Sequence, residues 1–551
     1  MYKRRKLDNI KLISATSIKN YMNDNPLSDY LDHMDYNNES VNDLFLNTAM
    51  DEGVLFENEI IKKLKENHSI IEATSHDDTI KLIKKGVPII WQAHIKNNTN
   101  GTYGKPDLLV KSTYINTIFP GTISFDKEYL SIANILGLNY YYIPIEIKHS
   151  KFKTAKNKQA YKGQMYIYLT AINNMLGTNL SKGYFLCKDN INELITVDYS
   201  EDSKDYIIVD KVMKAISWLR DLEEYGYSWS IYPIPSRIEL FPNMKVYDKK
   251  YEKIKKEINR RIGGDITSLW KCGIKERIAA HNNNIFSLSN KKLNAKLLGF
   301  SENNIDGKKI DAILETNRQN KYTISCETKK ITYELQRWKN IDNKTTHEFY
   351  LDIETFNSKI RVNLDGTPEN DYIFLSGIGY IDNNNEWKFE KFMMKNKSRQ
   401  SEIEAIDNFL DYIKDTLLLL GKEKAILYHW SKFEDLQFKK YYERNQIKKY
   451  NFYNFYDLNK VFTEEPITIK GALNFKLKTI GKILYKHDMI ETCWDIKNDC
   501  CDGLNAMILG EMIYNSNSED IMKDKNMLDI IQYNEMDCRV LCDIHNLIKK
   551  Y

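Results

Sequence analysis

The hydrophobic pattern of the first 235 residues predicts an α/β core. In residues 51–68, DEGVLFENEIIKKLKENH, the apolar positions Leu55, Phe56, Ile60 and Leu64 approximate one face of a helix. The elements predicted after it are strands over 87–95, 105–110 and 140–148, a basic helix over 154–173 and a strand over 183–188. Helices and strands interleaved in this order are typical of an α/β domain.

Residues 236–345 read as a mostly helical connector. A proline cluster around its start, Pro233, Pro235 and Pro242, indicates a boundary. A lysine-rich helix is predicted over 246–262, and short helices with glycine-containing turns follow. The pattern fits a helix-hairpin-helix-like unit that grips a nucleic-acid backbone, and it fits a small spacer equally well.

The last region, residues 346–551, begins with strands and continues with helices. EFYLDIETF (348–356) reads as an apolar strand, and the runs over 373–381 and 387–394 alternate like the strands of a hairpin. KAILYHW (424–430) is a further strand, after which helices predominate. Strands first and helices interleaved afterwards favour an RNase H-like α/β layer.

Length and charge narrow the class of protein. A chain of 551 residues is too long for one core, so two or three domains are expected. The net charge is only +4, but residues 147–188 hold eight lysines and no acidic residue. Such a basic face suits a phosphate backbone, although a solvated helix face gives the same pattern. The lysines assigned to nucleic-acid binding are Lys151, Lys153, Lys156, Lys158 and Lys162.

The sequence predicts an intracellular protein, cytoplasmic or nuclear and not secreted. The N-terminus, MYKRRKLDNI, has no apolar run behind it and is not a signal peptide. KRRK matches a nuclear-import signal, but a frayed basic tail has the same composition. No stretch approaches the roughly 20 apolar residues that a membrane span needs.

The eight cysteines are scattered without a CxxC pair, which favours reduced thiols over a disulfide framework or a zinc site. Cys538 and Cys542, four residues apart on a predicted helix, are expected in the core. The richness in Asn, Ile, Lys and Tyr, with little Gly and Pro, indicates coding by an AT-rich genome.

The first candidate site combines GKPDLLV with the buried strand YYYIPIEIK. Asp107 at the end of one strand and Glu146 on another can reach one divalent cation, to which Ile147 can offer its carbonyl oxygen. Strand alternation puts Lys148 on the same side as Glu146, where it can support the charged transition state of phosphodiester hydrolysis. A strand-edge ion pair with solvated ends is the structural alternative.

These residues resemble the RecB-type PD-(D/E)xK nucleases, which include lambda exonuclease and CRISPR-associated nucleases. GVLFE gives Gly53 and Glu57, GKPD gives Asp107, and QMYIY gives Gln164 and Tyr168, which share a helix face. The resemblance spans about 120 residues. It implies a restriction-endonuclease-like core and a Mg²⁺ or Mn²⁺ site held by Glu57, Asp107, Glu146 and the Ile147 carbonyl, with Gln164 and Tyr168 positioning substrate or water. Clustered cysteines for an iron–sulfur cluster are lacking, so none is expected. His94, on the strand before Asp107, either lines the site or is an ordinary core or strand-edge histidine.

The second candidate site lies in the last region. EFYLDIETF places Asp352 and Glu354 on one strand face, and DIIQYNEMDCRVL places Tyr533 and Asp537 on one helix face. This resembles the tyrosine type of DEDD exonucleases over about 200 residues. The resemblance implies metal binding by Asp352, Glu354 and Asp537, and a Tyr533 that orients the attacking water.

The fourth acid of this site is less clear in the sequence. Glu434, after Phe433, is assigned, with Asp435 as the alternative. Ser431 and Glu434 also form S-x-x-E, a capping box. Asp457 is an accessory acid or a helix N-cap.

Together the two resemblances predict a metal-dependent nuclease that hydrolyses DNA, an exonuclease or end-processing enzyme, with a second exonuclease-like domain. The alternatives are a nucleic-acid-binding subunit of a repair or defence complex with one or both sites inactive, and an RNA-directed exonuclease. The expected partners are single- or double-stranded DNA ends or RNA, with a homo-oligomer or a helicase as further partners. The fusion and the composition point to a giant DNA virus as the source.

Overall fold

The computed structural model describes residues 11–36, 44–123, 136–188, 190–319, 324–325, 341–356, 371–448, 450–464, 467–494, 503–516 and 521–550. The basic run KRRK, at residues 3–6, lies outside these ranges. The described residues divide into two compact units, one up to Ile262 and one from Gly263 onward. Residues 236–262 therefore belong with the first unit and 263–345 with the second, whereas the sequence joined them in one connector.

The first unit is built from helices around two sheets. Its strands are β1 (Ile13–Ser14), β2 (Ile70–Glu72), β3 (Ile89–Trp91), β4 (Ile95–Asn97), β5 (Thr102–Gly104), β6 (Leu108–Lys111), β7 (Tyr142–Lys148), β8 (Lys182–Cys187) and β9 (Asn190–Asp198). Its α-helices are α1 (Lys19–Met22), α2 (Pro26–His33), α3 (Leu44–Asn67), α4 (His76–Lys84), α5 (Ile115–Ile118), α6 (Lys158–Leu176), α7 (Ile207–Tyr225) and α8 (Glu252–Arg261). Short 3₁₀ turns cover Phe152–Thr154, Gly226–Ser228 and Ile238–Leu240.

Strand β7 lies in the middle of the larger sheet, whose order is β2-β3-β6-β7-β8-β9. It is antiparallel to β6 and parallel to β8, and it is buried from Tyr142 to Ile147. The smaller sheet has the order β1-β5-β4. Helix α6 contacts β4 and β5 of the smaller sheet and β7 and β8 of the larger one, and α3 also contacts β7. Side chains from α3 and α6 therefore reach the strand that carries Glu146.

Two details of this unit differ from the sequence prediction. The single strand expected over 87–95 is two strands, β3 and β4, in different sheets. Gln92 breaks the run because its backbone is left-handed, with φ 53°. On α3, Leu55 is 58% exposed and lies off the buried face, which includes Phe56, Ile60 and Ile61.

The second unit contains a five-stranded sheet flanked by helices. Its strands are β10 (Ile324–Ser325), β11 (Thr346–Thr355), β12 (Ile373–Ile381), β13 (Trp387–Met393), β14 (Lys424–His429), β15 (Tyr453–Asp457) and β16 (Thr468–Ile469). Its α-helices are α9 (Ile274–Asn282), α10 (Ile305–Arg318), α11 (Arg399–Leu419), α12 (Phe433–Asn445), α13 (Leu458–Glu464), α14 (Leu477–Lys486), α15 (Gly503–Asn515) and α16 (Lys525–Lys549). Short 3₁₀ turns cover Ile266–Ser268 and Ile521–Lys523.

Strand β11 is the centre of the sheet, whose order is β13-β12-β11-β14-β15. It pairs antiparallel with β12 and parallel with β14. Helix α16 contacts both β11 and β12. Its start is fixed by Asp524, whose side chain accepts the backbone N–H groups of Asn526 and Met527.

The described helices and cysteines add two facts. Among the described residues, none of the helices combines the length and apolarity that crossing a bilayer requires. The described cysteines Cys187, Cys272, Cys493, Cys538 and Cys542 form no disulfide, and Cys538 and Cys542 are buried in the core as expected.

Candidate active sites

The first site forms where β6 and β7 run side by side. Their register pairs Leu108 with Ile145, and its continuation by one residue brings Asp107 opposite Glu146. The backbone N–H of Ile147 donates to Asp107 Oδ2 at 2.7 Å, and the N–H of Asp107 donates to Glu146 Oε2 at 3.4 Å. Asp107 directly precedes β6, whereas the sequence analysis placed it at the end of a strand.

Lys148, Gln164 and Tyr168 gather around the Glu146 carboxylate. Lys148 Nζ donates to Glu146 Oε1 at 2.6 Å, and Gln164 Nε2 donates to the same oxygen at 2.9 Å. Gln164 Nε2 also lies 2.6 Å from the Tyr168 hydroxyl, which donates to the carbonyl of Lys105 at 3.3 Å. The strand and the helix therefore bring these four predicted site residues into one hydrogen-bonded network.

Gly104 is required by the close approach of the Tyr168 ring. A Cβ atom placed on Gly104 would lie 2.3 Å from Cε1 and 2.5 Å from Cδ1 of that ring. The glycine of GKPD and the tyrosine of QMYIY thus pack directly against each other. This contact holds α6 against the turn that precedes Asp107.

Burial and like charge dominate the electrostatics of this site. Burial raises the pKa of Asp107 well above its ordinary value, Glu146 and Glu57 raise it further, and Lys148 opposes them. Burial alone would lower the pKa of Lys148, but the carboxylates of Glu146 and Asp107 outweigh it and raise that pKa. The ammonium therefore remains charged at neutral pH. Burial, followed by Glu146 and Asp107, also raises the pKa of Tyr168, which stays a neutral hydroxyl.

Glu57 reaches this site from α3. Its Oε1 accepts hydrogen bonds from Gln92 Nε2 at 2.6 Å and from Trp91 Nε1 at 3.4 Å. The backbone N–H of Gln92 donates to the carbonyl of Asp107 at 3.0 Å, so Gln92 links the two acids. Sequence reasoning missed Trp91 and Gln92, since they looked like ordinary strand residues. Burial lowers the pKa of His94, which fits a neutral imidazole rather than a charged one.

The basic stretch is only partly available to a ligand. Of the five lysines assigned to nucleic-acid binding, three are exposed: Lys151, Lys153 and Lys156. Lys158 is half-buried, with Nζ 5.3 Å from the centre of the Phe152 ring. Lys162 forms an ion pair with Asp205, and its side chain is only 12% exposed. We therefore no longer include Lys162 among the candidate nucleic-acid-binding residues, because its ammonium is paired with Asp205 within the fold.

The second site lies on one face of β11. Phe349, Leu351 and Ile353 belong to an apolar cluster that includes side chains of α11 and α12. Because side chains alternate along a strand, Asp352 and Glu354 face the opposite side, which α16 covers. The acids of β11 and those of α16 therefore meet at this interface.

A pocket of about 280 Å³ opens between β11, α12, α14 and α16. Among its lining residues are Asp352, Glu434, Lys478, Tyr533 and Asp537. The three carboxylates come from positions far apart in the chain, and the fold brings them together. Four of the five predicted residues of this site line the pocket.

Burial and mutual repulsion raise the pKa values of acids in this pocket. Burial raises the pKa of Asp352 well above its ordinary value, followed in effect by Asp537, Glu354 and Glu434. Glu354, the fifth predicted residue, is therefore close enough to act on Asp352. Burial raises the pKa of Asp537 to about 6, and Lys478 counteracts the rise. Ionising these carboxylates is therefore unfavourable unless a cation binds beside them.

The side chain of Tyr533 is hydrogen-bonded to the side chain of Asp537. Burial, followed by Asp537 and Asp352, raises the pKa of Tyr533, so its hydroxyl stays protonated and able to donate. The spacing of four residues on α16 places both side chains at the same pocket.

Two residues that the sequence analysis missed hold these acids in place. Trp494 Nε1 donates to Asp537 Oδ1 at 2.6 Å, and Asn534 Nδ2 donates to Asp352 Oδ2 at 2.6 Å. Asn534 fits against Gly377 of β12, where a Cβ atom would lie 1.7 Å from Asn534 Oδ1. The only signal for Asn534 was its position, next to Tyr533 and three residues before Asp537.

Glu434 is held by a buried histidine rather than by a capping box. His429 Nδ1 lies 3.1 Å from Glu434 Oε2, and His429 is 2% exposed. The N-cap of α12 is Lys432, which makes no side-chain cap. The capping-box interpretation of Ser431 and Glu434 is therefore wrong. Ser431 has φ 107° and lies one residue before the cap.

The two alternatives for the fourth acid lie elsewhere. Asp435 and Asp457 line a smaller pocket of about 160 Å³, not the pocket that contains Glu434. Asp457 Oδ1 accepts the backbone N–H groups of Asn459, in the first turn of α13, and of Ser431. Asp457 thus has the helix-capping role that the sequence left open.

The donor chemistry of both sites fits a hard divalent cation. In each site burial, followed by the repulsion of neighbouring carboxylates, raises the pKa of an acid, and a cation would relieve that repulsion. Here protein donors hold the carboxylates instead. Within the described part of the chain, no group of three or more His, Cys, Asp or Glu side chains is arranged to hold a metal ion as it stands. The residues that would hold one are Glu57, Asp107, Glu146 and Ile147 in the first site and Asp352, Glu354 and Asp537 in the second.

Comparison with known families gives one assignment. A model of the RNase H superfamily, RNase_H_2, matches residues 349–549. The C-terminal part of the chain is therefore an RNase H superfamily domain, and the matched range contains the whole second site. The first unit lies outside this range. No curated protein matches the chain.

Proposed function

Because residues 349–549 form an RNase H superfamily domain, we propose that the chain is a metal-dependent nuclease. It would have two active sites and act on DNA. The observation that carries the proposal is the convergence of Asp352, Glu434, Tyr533 and Asp537 on one pocket. Buried carboxylates cost free energy unless they are paired or bind a cation, so their assembly here favours a function over a role in stability.

In the C-terminal pocket, Asp352, Glu354 and Asp537 would hold Mg²⁺ or Mn²⁺. The ion would lower the pKa of an attacking water and offset the charge that develops on the phosphate. Tyr533 keeps its proton and can donate to that water or to a phosphate oxygen. Glu434, aligned by His429, completes the acid set. This centre would remove nucleotides from strand ends.

The N-terminal centre is proposed as a PD-(D/E)xK nuclease site. Glu57, Asp107 and Glu146 would hold the ion, while the charged Lys148 lies beside Glu146 and can stabilise a phosphate anion. Gln164 donates to Glu146 and fixes its carboxylate relative to the helix. The exposed residues Lys151, Lys153 and Lys156 follow Lys148 closely in the chain and would contact the phosphate backbone.

The test is cleavage of end-labelled single- and double-stranded DNA by the full chain, with Mg²⁺ and with Mn²⁺. Lys148→Ala is expected to abolish the N-terminal activity and Asp352→Asn the C-terminal one. The matched controls are Lys214→Ala and Asp411→Asn, since both residues form exposed ion pairs within a helix. The controls should cut like the wild type.

The outcomes separate the proposal from its alternatives. Binding of DNA without any cleavage by the wild type would replace the nuclease with a binding subunit. Preferential degradation of an RNA strand of the same sequence would replace DNA with RNA as the substrate.

A further inference from the structure

Two lysines line the acidic pocket of the C-terminal domain, and one of them, Lys478, lies beside the tyrosine of the site. Lys478 is the second residue of α14 and lines the same pocket as Asp352, Tyr533 and Asp537. Its Nζ lies 4.3 Å from the centre of the Tyr533 ring. The ammonium is therefore next to the side chain that carries the pocket's hydroxyl donor.

Lys478 lies where its charge acts on two acids of the pocket. It lowers the pKa of both Asp352 and Asp537, so its charge acts on the strand acid and the helix acid at once. Its side chain is partly exposed, so a ligand in the pocket can reach it. A second lysine, Lys476, lines the same wall and is exposed.

A lysine beside these acids would favour the binding of a nucleic-acid strand in this pocket. Asp352, Glu434 and Asp537 line it with negative charge, and a phosphodiester brings more. Like charges at close range repel strongly where water is scarce. An ammonium in the pocket wall can donate up to three hydrogen bonds to phosphate oxygens and offset their charge.

We propose that Lys478 is a catalytic residue of the C-terminal centre, whose ammonium contacts the phosphate of the nucleotide being removed. This inference rests on the proposed nuclease function. Lys478 would serve this centre as Lys148 serves the N-terminal one. The alternative is a lysine that only balances the charge of the acids and never contacts substrate.

The experiment uses the full chain with Asp107→Asn, so that the N-terminal site is silent. Into this background are placed Lys478→Met, Lys478→Arg and the control Lys482→Met. Lys482 lies one turn further along α14 and is exposed. Three quantities are measured: kcat/KM on a labelled oligodeoxynucleotide, the Kd of deoxyadenosine 5′-monophosphate with Mn²⁺ present, and the Kd of Mn²⁺ alone.

Lys478→Met is expected to lower kcat/KM and to weaken nucleotide binding, each by about 10- to 100-fold, the usual range for losing a charged hydrogen bond. Mn²⁺ should bind as tightly or more tightly, because a competing positive charge has been removed. Lys478→Arg should retain most of the activity, and Lys482→Met should match the background protein.

The results distinguish this inference from the proposed function. If the background protein cleaves DNA and Lys478→Met cleaves and binds nucleotide equally well, Lys478 has no catalytic role while the nuclease function stands. If Lys478→Met binds both Mn²⁺ and the nucleotide more weakly, and by a similar factor, Lys478 has a structural role and does not contact the phosphate. If the background protein binds the nucleotide through Lys478 but cuts nothing, the phosphate contact stands and the proposed C-terminal nuclease function fails. With neither cleavage nor nucleotide binding, both fail.

Discussion

Asp537 should make the metal-free protein less stable at neutral pH than at acidic pH. Burial raises its pKa from 3.8 to about 6. The folded chain therefore keeps a proton between these pH values that the unfolded chain has released, so stability falls as pH rises through this window and stays low above it. Each pH unit is worth about 1.4 kcal/mol, so the upper limit of the loss is about 3 kcal/mol at pH 7.

Asp537→Asn removes this loss while keeping an oxygen that can accept from Trp494. In EDTA at pH 7 the variant should therefore be more stable than the wild type by up to about 3 kcal/mol, or roughly 6–12 °C in Tm for a unit of this size. At pH 4 the wild type and the variant should have the same Tm, because Asp537 is then protonated in the folded wild type. Mg²⁺ or Mn²⁺ should stabilise the wild type at pH 7 and the variant much less.

Thermal unfolding followed by tryptophan fluorescence measures this directly, since Trp494 contacts Asp537. The control is Asp411→Asn, an exposed carboxylate on α11 whose replacement should leave the pH dependence unchanged. A variant no more stable than the wild type at pH 7, or equally stabilised at pH 4, would refute the inference that burial raises the pKa of Asp537 and destabilises the metal-free fold.

Substitutions at two further positions test the surroundings of the sites, Gly104 for its packing and His429 for its hydrogen bond. Gly104→Ala would force a methyl group to within 2.3 Å of the Tyr168 ring and should cost about 1–3 kcal/mol in chemical denaturation, whereas Gly53→Ala, with open space around it, should be neutral or slightly stabilising. Equal effects of the two would contradict the close contact. His429→Leu should lower exonuclease activity about tenfold by leaving the Glu434 carboxylate without its partner, and His429→Gln should restore most of it. Failure of the glutamine to rescue would show that the hydrogen bond does not position Glu434.

Much of the fold follows from local patterns, because the period of apolar residues is a property of each segment. The strand predicted over 140–148 is β7, and the strand predicted over 348–356 is most of β11. The run over 87–95 was misjudged because a single left-handed residue, Gln92, sends its two halves into different sheets. The apolar pattern of a segment reflects its burial. Both β3 and β4 contain buried residues, so the pattern does not reveal the turn between them.

The acids of the candidate sites could also be located from the sequence. Glu146 with Lys148, and Asp352 with Glu354, follow from strand alternation. Their supporting residues could not be found in this way, since long-range packing selects them. Trp494, which contacts Asp537, and Lys478, which lines the pocket, come from segments whose spacing has no periodic relation to the acids.

Cleavage by four forms of the full chain tests the central claim most directly: the wild type, Lys148→Ala, Asp352→Asn and the double variant. With end-labelled DNA and Mn²⁺, each single variant should lose one class of products and the folded double variant should cut nothing. A wild type that leaves DNA intact, or a double variant that cuts as fast as the wild type, would contradict the assignment of both sites.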